Sequence, residues 1–231
     1  MLETTPSAPY PARMKNAEFD PENSRKAPRS YRGSSSEERR LERRSKLISA
    51  SKSLYGTRGF HATTVKAICE AAGLTERYFY ENFSNSEDLF IAMHKDTSAR
   101  IISRLHMASI REAEPSKKVI AMLDTYYGDI AEDPVTARLF AVDAASISQL
   151  AREVCTSWRQ SFAHLLSEAL SQKTPSSDVL RHGVIRGVIG IGVDWMESGF
   201  ALARMDVVQA GAALVRAMEL GTEEGAQVAA S

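Results

Sequence analysis

Apolar residues in this chain recur at helical rather than strand spacing. Leu41, Ile48 and Tyr55 stand seven apart with Leu47 and Leu54 beside them, a stripe that predicts a helix entered at Ser34-Ser35-Ser36, where Ser35 and Glu38 have capping-box spacing. Gly56 and Gly59 end it, and Phe60 is placed to fold back on its last turn. Val65, Ile68 and Ala72 then mark a short helix capped by Thr63 or Thr64 and stopped by Gly73, a residue free to turn left-handed. Thr75 is expected to cap a third helix, with Phe79 and Phe83 packed inward. A second capping box, Ser84 to Glu87, predicts a longer helix through Leu89, Phe90 and Met93 toward Arg111.

Beyond Pro115 the spacing predicts helices over 116–131, 135–147, 149–172, 178–198 and 206–220, with no alternating strand pattern. The fold class is all-α. Residues 1–36, with Pro6, Pro9, Pro11, Pro21 and Pro28, read as a disordered basic leader, and 221–231 as a flexible tail. Between them lie a helix-turn-helix unit, 37–101, and a larger helical region, 102–220.

Composition narrows the function. Hydrophobic residues make up 43% and charged residues 25%, which suits a soluble globular protein, and no apolar run is long enough to span a membrane. Cys69 and Cys155 lack disulfide or metal-ligand spacing and read as buried thiols, so the expected location is cytoplasmic. Net charge is zero, yet Arg25 to Lys46 holds nine basic residues against three acidic ones. That excess lies beside the helix-turn-helix, where phosphate contact would release counterions.

From Leu41 to Ile101 the chain resembles the DNA-binding domain of the tetracycline-repressor (TetR) family. The likeness rests on Gly59-Phe60, Thr63-Thr64-Val65, Ile68, Ala72-Gly73-Leu74-Thr75, Phe79-Tyr80, Phe83 and Glu87-Asp88-Leu89-Phe90. It implies an all-helical homodimer that binds a palindromic double-stranded DNA operator through its N-terminal helices. It also implies a C-terminal domain that dimerises and binds a small effector, with repression relieved on binding. Carried over by position, Thr63 and Thr64 meet phosphate, Thr75 opens the recognition helix, Arg77 and Tyr78 face bases, and Tyr80 touches the backbone. Ser86 stands where the family commonly has a lysine, and Glu81 adds negative charge; the basic run Arg39 to Lys46 is placed to compensate.

Each assignment has a plainer reading. Arg77 either contacts DNA or pairs with Glu76 or Glu81, and Tyr78 and Tyr80 contact DNA, pack on the small core, or do both. Arg43 and Arg44 lie on a solvated face or reach phosphate. Tyr126, Phe140, Trp158, Phe162 and Trp195 are plain core or line a pocket for an apolar or aromatic effector. Gly183, Gly187 and Gly190 weaken their helix by roughly 1 kcal/mol each, offset by close approach at a dimer interface or by room for a ligand; the interface is preferred. Asp194 with Glu197, or His182 with Asp178, would be the groups of an enzyme, but no activated nucleophile, phosphate loop, metal set or cofactor motif accompanies them. No enzymatic activity, cofactor or metal is therefore expected. A helical interaction module that has lost operator binding is the other alternative.

Overall fold

The computed structural model describes residues 35–141, 146–170 and 177–229, the side chains of 141 and 217–229 excepted. Among these residues there are nine helices and no strand. They are α1 (Ser36–Arg58), α2 (Val65–Ala72), α3 (Glu76–Tyr80), α4 (Ser86–Ser109), α5 (Pro115–Glu132), α6 (Pro134–Ala141), α7 (Gln149–Ala169), α8 (Asp178–Glu197) and α9 (Arg204–Ala229). The helices from Ser36 onward form one compact unit. The leader expected over 1–36 lies outside the described residues apart from its last two.

Local chemistry accounts for most helix ends. Gly59 at φ +82° and Gly73 at φ +64° bracket α2, in a region of backbone space that side-chain-bearing residues rarely adopt. Thr64 is the cap of α2, its Oγ1 accepting from Ala67 N at 3.1 Å. Ser148 and Ser177 cap α7 and α8 in the same way, accepting from Ala151 N and Leu180 N.

Two expected caps are corrected. Thr75 occupies the N-cap of α3 in extended geometry but makes no side-chain capping bond; its carbonyl accepts from Tyr78 N instead. At α4 the cap is Asn85, whose Oδ1 accepts from Asp88 N at 2.8 Å while Asp88 Oδ2 accepts from Ser84 N at 3.1 Å. The cap and its acidic partner, Asn85 and Asp88, thus sit one residue later than the expected Ser84–Glu87 box. Glu87 is thereby left to accept from Ser148 Oγ at 2.6 Å, tying the start of α4 to the cap of α7. Leu41, expected on the apolar stripe of α1, is half exposed, while Leu47 and Tyr55 are buried.

Two apolar clusters meet along α4. The first gathers Leu47, Ile68, Phe79, Leu89 and Phe90 and also takes Leu139, Ala151 and Cys155 from α6 and α7. The second holds Leu105, Met122, Tyr127, Phe162, Val188 and Trp195. Phe140 packs against both, 4.7 Å by ring centroid from His94 and 4.7 Å from Trp158.

In the second cluster the fully buried Tyr127 lies against Gly192 and Gly211 and donates to the Val188 carbonyl at 3.0 Å. A Cβ at Gly211 would stand 2.6 Å from Tyr127 Oη. The roughly 1 kcal/mol that alanine gains over glycine in a helix is outweighed by an overpacking cost of about 1–3 kcal/mol. Gly211→Ala is therefore expected to lower the thermal midpoint, whereas Gly183→Ala, with nothing within 4 Å of its Cβ, should hold or raise it. Thermal unfolding followed by circular dichroism distinguishes the two.

At the joint between clusters, His94 is buried with Nε2 3.3 Å from Cys155 Sγ. Burial, aided by the Arg159 charge, lowers its pKa from 6.5 to about 4. The folded state thus binds this proton less readily than the unfolded chain. The sign is that stability is unaffected above about pH 6.5 and falls as pH drops from there toward 4, by an amount on the order of a few kcal/mol. Urea unfolding across that range should show a shallower loss in His94→Leu than in the unmodified protein.

Candidate nucleic-acid interface

Helix α3 and the turn before it project Thr75, Arg77 and Tyr80, all exposed. The Arg77 side chain is 85% exposed, and Tyr80 keeps 59% of its surface while its ring packs edge-on to Phe79. Phe79 is fully buried and Phe83 nearly so, so these two anchor the short helix from beneath. Five residues could not hold a helix in water without that anchorage.

Helix α1 braces α3 from the side. The Arg43 guanidinium lies 4.5 Å over the Tyr78 ring and 3.9 Å from Glu81, and Arg44 lies 4.4 Å over Phe83 while donating to the Asn82 carbonyl at 3.3 Å. Asn82 in turn donates to the Tyr78 carbonyl at 2.8 Å. Both arginines are half-buried and already engaged within the protein. Glu81 also accepts from Arg77 Nε at 3.1 Å, so one carboxylate faces an arginine from α1 and another from α3.

Of the two threonines ahead of α2, Thr64 is exposed while serving as the cap; Thr63 is buried and donates its hydroxyl to the Gly59 carbonyl at 2.8 Å. The outward set brought together is thus Thr64, Thr75, Arg77 and Tyr80, with Tyr78 partly covered by Arg43. The plainer reading of Arg77, a pair with Glu81 at i, i+4 spacing, is thus present in the structure, whereas the engagement of Arg43 and Arg44 within the protein has no local sequence signal.

A second site lies behind α1. A cleft of about 220 Å³ is walled by Ile101, Tyr126, Ile130, Ala137 and Phe140, and rimmed by Lys52, Arg100 and Arg104 against Asp129, Glu132 and Asp133. Lys52 Nζ stands 2.9 Å from Asp133 and Arg104 2.7 Å from Asp129, the latter contact lacking aligned hydrogen-bond geometry. Burial pushes the Asp129 carboxyl up against the opposing Arg104 charge. For Asp133 burial pushes the same way but is outweighed by hydrogen bonds from Thr136 and Lys52, which hold it below its usual value.

Of the aromatics expected near an effector, Tyr126 and Phe140 line this cleft. Trp158 lines a different groove with Lys95 and Leu150, and Phe162 and Trp195 belong to the core, the Trp195 indole donating to the Leu202 carbonyl at 2.9 Å. Gly183 and Gly190 face open space on α8, whereas Gly187 meets Leu214 of α9 in the same chain. His182 and Asp178 line a surface cleft, with Asp178 paired to Arg181. Among the described residues no group of His, Cys, Asp or Glu is arranged to hold a metal, and no helix is long and apolar enough to cross a membrane.

Two short helices around a Gly turn, with the second one exposed on a packed base, form a helix-turn-helix unit. Residues 47–93 match the model of the bacterial regulatory proteins of the tetR family. It is 26% identical over 116 residues to the HTH-type transcriptional activator FasR of Mycolicibacterium smegmatis, covering 50% of this chain and 53% of the relative. It is 20% identical over 133 residues to the fatty acid metabolism regulator protein of Bacillus subtilis, covering 58% and 69%. The chain thus spans about half the length of FasR.

The fold resembles that of FadR from Bacillus subtilis in complex with stearoyl-CoA, with a TM-score of 0.65, 17% identity, and coverage of 74% of this chain and 96% of that one. A putative transcriptional regulator from Pseudomonas aeruginosa PAO1 is similar, at TM-score 0.67 and 16% identity over 80% and 93% of the two chains.

Neutralising Glu81 while keeping its shape releases two arginines beside the reading helix. Glu81→Gln is expected to raise affinity for random duplex DNA by about two- to fivefold, the scale of an exposed ion pair, and to steepen its salt dependence. Fluorescence anisotropy at several salt concentrations measures both.

Proposed function

We propose that this protein is a cytoplasmic, homodimeric DNA-binding transcriptional repressor released from a palindromic operator by a small-molecule effector. The observation that carries it is the exposed Arg77, Thr75 and Tyr80 on a short helix clamped from beneath by Phe79 and from the side by Arg43. A rigidly based probe of that size suits the major groove, where arginine can bind guanine O6 and N7 together.

Residues 37–101 are read as the DNA-binding part and 102–220 as the effector and dimerisation part. Support for pairing of two copies comes from α8, α9 and the segment joining them, where Gly183 and Gly190 are unobstructed and Val179, Leu202 and Met205 expose apolar surface. Support for an effector comes from the cleft holding Tyr126 and Phe140, and from relatives named for fatty acid metabolism or solved with stearoyl-CoA. These favour an apolar-chain ligand over a compact aromatic one. That FasR is a transcriptional activator supports a second reading, in which the same head recruits rather than blocks transcription.

Selection from a random duplex pool with the full chain is expected to yield two inverted half-sites about one helical turn apart. Arg77→Ala should erase about 1–3 kcal/mol of preference at one position of each half-site, leaving non-specific binding nearly intact. Recovery of no preferred sequence, or indifference to Arg77→Ala, would contradict the reading.

A further inference from the structure

We propose that the cleft beside α1 takes an amphipathic anion, and that Lys52 exchanges Asp133 for the ligand's headgroup, unlatching α1 from α6. This rests on the reading of that cleft as the effector site. Three cations rim its apolar interior, and only Lys52 comes from the helix that braces the reading head. Arg100 pairs with Asp96 and Arg104 with Asp129. Lys52 pairs across the seam with Asp133, the residue preceding α6.

The two partners of the seam pair are unequally held. Asp133 caps α6, its carboxylate accepting from Thr136 N at 3.0 Å and from the Thr136 hydroxyl. Those bonds survive the loss of Lys52, so Asp133 is not left unsatisfied. Lys52 is a flexible stem that already lines the cleft, and its carboxylate partner among the described residues is Asp133. The group free to leave is therefore the cation, and a cation answers an anionic ligand.

The seam itself is tight one turn further along α1. At Gly56 an added Cβ would lie 2.2 Å from the Val135 carbonyl oxygen and 2.6 Å from its Cγ1, so the α1 backbone packs directly on Val135 of α6. Withdrawing Lys52 toward a ligand removes the ion pair next to this contact. The reading head then loses a strut that fixes the direction of α1.

The test uses the full chain and a probe series from octanoate to stearate, with the matching coenzyme A thioesters and neutral primary alcohols. Binding is followed by calorimetry in the absence of DNA. At equal chain length the acid or the thioester should bind about tenfold tighter than the alcohol, the scale of one charge-assisted contact. Lys52→Met should abolish that preference, and Lys52→Arg should keep it. Asp133→Asn, which preserves the cap and removes the competitor, should tighten anion binding.

Opposite signs at two partners of one pair are not the signature of general damage to the fold. Equal affinity for acid, thioester and alcohol, an unchanged preference in Lys52→Met, or no binding by any probe overturns the proposal. A second arm measures affinity for a selected DNA fragment with and without saturating anion. Release in the unmodified protein but not in Lys52→Met supports the latch, and release in both overturns it. If no fragment is bound at all, the regulator reading and the latch both fall, while the first arm still judges the ligand class.

Discussion

Helix α4 is buried at both ends by different partners, and that constraint organises the molecule. Its first turns place Leu89, Phe90 and Met93 under the reading head, and its last turns place Leu105 in the larger cluster. Apolar burial contributes roughly 25 cal/mol per Å², so neither end can lift away cheaply. The Glu87–Ser148 hydrogen bond and the His94–Cys155 contact add directional fixation between α4 and α7. A change in packing around α5 and α6 has a solid path to the helix-turn-helix along this beam and along the Lys52–Asp133 seam.

Much of this arrangement was legible in the sequence. Apolar spacing placed α5 to within one residue at each end, and the threonines before Val65 together with Gly73 bounded α2. Gly73 was readable as a left-handed stop, since only a residue without Cβ takes φ +64° readily. The final helix ran further than expected, to Ala229, as its small residues carry little periodic signal. Buried Phe79 and Phe83 beside exposed Arg77 and Tyr80 followed from the i, i+4 rule.

What was not legible depended on contacts between distant segments. Nothing in the spacing of Leu139, Ala151 and Cys155 says that they complete the core beneath the reading head. The sequence singles out Gly183, Gly187 and Gly190 and not Gly192 or Gly211, because the need for glycine at the latter two is set by where the Tyr127 ring lies and not by local pattern. Arg43 and Arg44 read as free cations, yet stacking on Tyr78 and Phe83 gives them a bracing part within the protein. The shift of the α4 cap from Ser84 to Asn85 turned on one residue of register, a choice that only the fate of Glu87 decides.

In the proposed regulator, cleft and helix-turn-helix share one energetic frame. Thermodynamic linkage requires any ligand that weakens DNA binding to be weakened by DNA in equal measure. The direct measurement is the affinity of a long-chain acyl-coenzyme A for the protein alone and for the protein saturated with its selected DNA. Ligand binding is expected to be weaker on DNA by roughly five- to 150-fold, the usual range of coupling. Identical affinities in the two states would contradict it.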